Sequence, residues 1–139
     1  MDPLSVIASI TTILTAATQV SRLLSQVHNA PESMNAILTE IEYIEIVFRA
    51  LKRFVDRARF FDQDRAALLQ VEDVTTILTR MALDFGQLQK LMSPFSPHRK
   101  SGVGWRLTWA HQKSNIGQLV HDLQRQQTSL SLLLQLIQW

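Results

Sequence analysis

Apolar residues recur at spacings of three and four along almost the whole chain, the signature of amphipathic helices. Leu4, Ile7, Ile10, Leu14, Ala17, Val20 and Leu24 predict a first helix, with Asp2 as its N-cap and Pro3 at the first helical position, running to about Val27. His28, Asn29 and Ala30 break the pattern before Pro31. Met34, Ile37, Leu38, Ile41, Ile44, Phe48, Leu51, Val55 and Ala58 predict the second helix, and Phe60 and Phe61 ahead of Asp62, Gln63 and Asp64 predict a corner. Leu68, Val71, Val74, Leu78, Met81, Phe85, Leu88 and Met92 predict the third, with Gly86 as a tolerated weak point. Pro94, Pro97, Gly102 and Gly104 make Ser93 to Gly104 a loop. The last helix begins between Trp105 and Ser114. It turns Trp109, Ile116, Leu119, Val120, Leu123, Leu130, Leu133, Leu134 and Ile137 inward, and Gln124, Arg125, Gln126 and Gln127 to water. No stretch alternates like a strand. The expected fold is therefore all-α, an up-and-down bundle of four main helices with room for a short extra helix at a corner or loop.

The first helix stands apart because Pro3 to Ser21 carries no charged residue. Such a helix is roughly 28 Å long, near the thickness of a bilayer core. Eight polar residues, from Ser5 to Ser21, make it too wet for a permanent span, and Asp2 and Pro3 replace the basic start of a secretory signal. Two readings stay open: an ordinary core helix, or a helix soluble when packed and membrane-competent when released. On the second reading Leu4, Val6, Ile7, Ile10, Ile13 and Leu14 are the inserting residues. Val6 and Ile13 lie off the inward stripe, so charges placed there should spare folding if the two face solvent.

Charge sharpens the picture. A chain of 139 residues, 46% hydrophobic and 19% charged, has the size of one domain spanning 1–139 with one core. It has no cysteine, which removes disulfides and thiolate metal sites. The net charge is only +2, yet the second helix opens with Glu32, Glu40, Glu42 and Glu45 and closes with Arg49, Lys52, Arg53, Arg57 and Arg59. That order complements the helix dipole, and Glu45 can pair with Arg49 one turn on. The three later glutamates read as a solvated face. After Phe85, six basic residues face Asp122 alone. Arg49, Lys52, Arg53, Arg57, Arg59, Arg99, Lys100 and Arg106 are the candidate contacts to anionic membrane lipid.

Catalytic chemistry is thin. His28, His98, His111 and His121 have no metal-ligand spacing, no serine sits in a Gly-x-Ser-x-Gly turn, and there is no phosphate-binding loop. The expectation is a non-enzymatic chain without metal or cofactor. Nucleic acid is not an expected partner either, since basic and aromatic residues do not interleave as in a stacking platform.

The opening MDPLSVIASITTILTAATQVSRLLSQV and the late GWRLTWAHQKSNIGQLVHDLQRQQTSLSLLLQ resemble the fungal HeLo-like amino-terminal domain. This is the front domain of many fungal STAND, NLR-like receptors and related cell-death effectors. The resemblance covers Met1 to about Gln135. Its specific parts are Asp2 and Pro3 within the start Met1 to Ile10, and Trp109 leading into a helix that finishes at Leu130 to Gln135. Ala110 stands where the family pattern has Pro. The resemblance implies a helical bundle of the kind acting in programmed cell death, heterokaryon incompatibility and fungal innate immunity. It would be cytoplasmic at rest and move to the plasma membrane once a downstream regulatory region or NLR-like receptor drives homo-oligomerisation. Residues 1–24 would be its membrane-active helix, and the chain the N-terminal part of a longer protein. The alternative expectation is an oligomerisation or adaptor module of such a receptor that does not itself touch membrane.

Overall fold

In a computed structural model, which describes residues 3–27, 30–61, 72–95 and 104–138, the chain is an all-α four-helix bundle. The helices are α1 (Pro3–Ser25), α2 (Glu32–Phe61), α3 (Glu72–Met92) and α4 (Gly104–Gln138), and a single 3-10 turn, Ser93–Phe95, extends α3. Asp2, His98, Arg99, Lys100 and the third-helix residues Leu68 and Val71 lie outside the described residues. Two boundaries differ from expectation. Phe60 and Phe61 belong to the last turn of α2 instead of a corner, and α4 starts as early as Gly104.

The core follows a strict alternation of three and four. The seam residues are Val6, Ile10, Ile13, Ala17, Val20 and Leu24 on α1, with Ala16 and Ser21 buried beside them, and Met34, Ile37, Ile41, Ile44, Phe48, Leu51 and Val55 on α2, with Glu45 buried beside them. On α3 they are Val74, Leu78, Met81, Phe85, Leu88 and Met92, and on α4 Ile116, Val120, Leu123, Gln127, Leu130 and Leu134, with Trp109 one heptad before Ile116. A 3.5-residue period lets side chains of near-parallel helices interdigitate along their whole length.

Polar contacts fix the directions. Six residues link α1 to α2 and the two pack extensively, with Thr18 and Ser21 against Glu45, so these two run antiparallel. Gln89 of α3 donates to Gln19 of α1 at 2.6 Å, late in both helices, so this pair is parallel. The Trp109 indole donates to the Ser33 hydroxyl at 3.0 Å, which sets the start of α4 beside the start of α2. Phe95 stacks edge-on against Trp109, with ring centroids 5.8 Å apart. Up-down-up-down is thus retained, but the main contacts are α1–α2, α1–α3, α3–α4 and α2–α4. Consecutive α2 and α3 occupy opposite corners, as do α1 and α4.

Two expectations about the surface are corrected. Val6 and Ile13 are each 0% exposed and belong to the core, whereas Ile7 and Leu14 are half-buried on its flank. Gln127, expected in water, is 7% exposed and its side-chain oxygen has no hydrogen-bond partner among the described residues. It sits in the seam because Val120 and Leu134, seven residues to either side, are seam residues.

Truncating the fully buried Phe48 to Ala is expected to cost about 3–5 kcal/mol in chemical denaturation, while Leu83→Ala on the surface stays within about 0.5 kcal/mol. Gln127→Leu should stabilise the bundle by about 1 kcal/mol or more, since it removes an unpaired buried carbonyl at similar volume. A loss of stability in that variant would show that Gln127 has a partner.

Candidate functional site

The candidate site is α1 together with what holds it. Among the described helices, Val6–Ser25 is the one long and apolar enough to cross a membrane, at 20 residues and a mean hydropathy of 1.2; a soluble core helix passes the same test. Its inner face is aliphatic. Its outer face consists of Ala8, Thr12, Thr15, Gln19 and Arg22, all exposed.

Several of its hydroxyls are satisfied inside the helix. Thr12 donates to the Ala8 carbonyl at 2.9 Å, Ser21 to that of Thr18 at 3.0 Å, and Ser25 to that of Arg22 at 2.8 Å. Such bonds remain with the helix wherever it goes, and reduce what a hydroxyl costs away from water.

Thr18 is different, because its hydroxyl donates across the helix boundary to Glu45 at 3.0 Å. Ser21 can also turn its single proton to the other Glu45 oxygen, 3.2 Å away. Arg49 completes the cluster with an ion pair to Glu45 at 2.6 Å, one turn along α2. Glu45 is 9% exposed, so it is no part of the solvated face expected for Glu40, Glu42 and Glu45; Glu40 is half-buried and Glu42 exposed. A carboxylate so enclosed needs partners, and here they are two α1 hydroxyls and one guanidinium. Thr18, Ser21, Arg22, Ser25, Glu42, Glu45, Ile46 and Arg49 line an open groove along the α1–α2 boundary. The hydroxyls on an otherwise aliphatic helix, three residues apart at 18 and 21, were the sequence signal for this cluster.

The bundle does not gather all candidate lipid contacts. Arg49, Lys52, Arg53 and Arg57 form one stripe on α2; Arg53 and Arg57 are exposed, Lys52 is half-buried, and Asp56 is set among them. Because α2 runs antiparallel to α1, this stripe ends beside the N-terminal half of α1. Arg106 is exposed near the start of α4, at the opposite end of the bundle. Arg99 and Lys100 and the side chains of Leu4 and Arg59 lie outside the described residues. Pro3 starts α1, and Trp109 has a packing role where α2, α3 and α4 meet.

No group of three or more His, Cys, Asp or Glu is placed to hold a metal among the described residues. Compared with family models, curated proteins and solved structures, the chain matches none.

Glu45→Ala is expected to cost about 2–3 kcal/mol in denaturant unfolding, because it strands the Thr18 hydroxyl at a packed boundary. Arg49→Ala, whose side chain is 55% exposed, should cost only about 0.3–1 kcal/mol. Equal costs would mean that Glu45 owes its place to the ion pair and not to α1.

Proposed function

We propose that this chain is a HeLo-like, membrane-permeabilising effector domain whose α1 exchanges its bundle contacts for lipid when copies are clustered. What carries the reading is α1 itself. It has the length of a bilayer core, no charge before Arg22, and three hydroxyls, of Thr12, Ser21 and Ser25, that bond within the helix, yet it is held on α2 by one polar cluster at Glu45.

On this reading the packed bundle is the resting, cytoplasmic form. The exposed arginines at 53 and 57, close to the N-terminal half of α1, attract anionic lipid at the plasma membrane, each contributing about 1 kcal/mol near the surface. A regulatory region or an NLR-like receptor raises the local concentration and multiplies that attraction. Glu45 stays behind on α2, so Asp2 is the one acid of residues 1–24 that has to approach the bilayer. The aliphatic seam of α1, Val6, Ile10 and Ile13, meets the acyl chains along with Ile7 and Leu14. The output is permeabilisation in a cell-death response.

Since Val6 and Ile13 are core residues, charges there would unfold the bundle and test nothing. Thr12 and Thr15 are the informative positions, as both face outward in the bundle and both would lie at mid-bilayer in an inserted α1. The double variant Thr12→Glu, Thr15→Glu should keep the wild-type melting curve. It should lose dye release from phosphatidylserine vesicles, since a charge at the centre of a span costs about 2.5–3.5 kcal/mol. If wild type, even when chemically clustered, neither co-sediments with the vesicles nor releases dye, the membrane reading fails and the adaptor reading takes its place. If the variant releases dye like wild type, α1 is not the inserting element.

A further inference from the structure

The outer face of α2 carries a second seam that the bundle does not use. Ala36, Thr39, Tyr43, Ile46 and Ala50 follow one another at the same alternating three and four, and continue into Arg53 and Arg57. All seven are exposed; Tyr43 is 59% and Ile46 60% accessible, the half-buried Val47 and Phe54 flank them, and no described residue covers them. An apolar face at coiled-coil spacing on the far side of a packed helix calls for another helix.

Charge selects the occupant. From this pattern we infer that α2 pairs antiparallel with α2 of a second copy of this chain, about a two-fold axis that sets Tyr43 against Ile46 of the other copy. In an antiparallel pair, a flanking position faces the equivalent flanking position of its partner helix. In this register Glu42 faces Arg49 of the second copy, and by symmetry Arg49 faces its Glu42. Thr39 lies against Ala50, small against small, which lets the backbones approach. Arg53 lies over Ala36 and reaches water at the rim. Slipping the pair by one heptad sets Arg49 against Arg49 and Glu42 against Asp56. Parallel pairing stacks Arg53 on Arg53 and Arg57 on Arg57, and leaves Glu42 and Arg49 opposite Val47 and Phe54. Of these arrangements, one pairs opposite charges and the other two oppose like ones.

Arg49 can serve both partners. One of its terminal nitrogens is engaged by Glu45, and a guanidinium offers five N–H donors. A single helix pair buries less than the roughly 1,600 Å² of a standard stable interface, so the dimer is reversible and concentration-dependent. The inference does not rest on membrane activity, and would survive its failure.

Sedimentation velocity on the whole chain over a rising concentration series tests it. Wild type should move from monomer to dimer. Ile46→Glu and, separately, Glu42→Arg should each raise the dissociation constant by about tenfold or more, with helical circular dichroism unchanged, and melting unchanged at concentrations where wild type is monomeric, since both positions are exposed. Orientation is read by cross-linking, on a chain with no cysteine of its own. Tyr43→Cys and Ile46→Cys proteins should oxidise to the mixed pair in preference to either like pair. A monomer at every concentration overturns the proposal, as does a dimer indifferent to Ile46→Glu. Like-with-like cross-links overturn the antiparallel register even if a dimer forms.

Discussion

Everything in this bundle depends on four helices keeping the same 3.5-residue seam. That period holds each buried row in line with its neighbours for six or seven core positions, so the core is one continuous column instead of a set of local contacts. Helices that drifted at 3.6 would carry their apolar faces out of the interface within a few turns. The seam also explains why few polar specifications are needed. Where the apolar rows are continuous, a handful of hydrogen bonds, Thr18 and Ser21 to Glu45, Gln89 to Gln19 and Trp109 to Ser33, suffices to pin direction and register.

The polar residues admitted into or beside the core have unequal standing. Glu45 is surrounded by donors and links two helices. Gln127 has the same burial and an oxygen without a partner among the described residues, so it costs stability where Glu45 supplies definition. Gln126, next to it, donates to Asp84 across the α3–α4 boundary at 3.1 Å. A polar residue at a seam position limits which neighbouring rows can slide past it, the best-attested use of such residues in helical assemblies.

The number and order of the helices were readable from period alone, because apolar residues at threes and fours outnumber every competing pattern. The phase of α1 was not. Leu4, Ile7, Ile10, Leu14, Ala17, Val20 and Leu24 form one acceptable stripe, and Val6, Ile10, Ile13, Ala17, Val20 and Leu24 another. They share four members, and a helix this rich in aliphatics supports both. The second wins because it alone keeps the unbroken alternation of three and four that the other helices keep, and it leaves Thr18 and Ser21 together against Glu45. Glu45 and Gln127 were misplaced for a simpler reason: polar side chains default to water unless a partner or a heptad neighbour argues otherwise. For Gln127 the heptad neighbours were there to be counted. The basic cluster was legible as composition but not as a surface, since Arg57 and Arg106 are assigned to opposite ends only by the helix directions.

The corner positions of α2 and α3 divide the molecule into two antiparallel hairpins, α1–α2 and α3–α4, which close on each other like the covers of a book. Two parallel joints hold the covers together, α1 with α3 on one margin and α2 with α4 on the other. The second margin contains the Trp109 indole and its bond to Ser33. The first is a longer run of aliphatic contacts together with the Gln19–Gln89 bond. The two margins are therefore of unequal extent: α1 and α3 pack over the longer contact, so the spine lies on the α1–α3 side. Opening along the shorter margin parts α2 from α4 and leaves α1 joined to both α2 and α3.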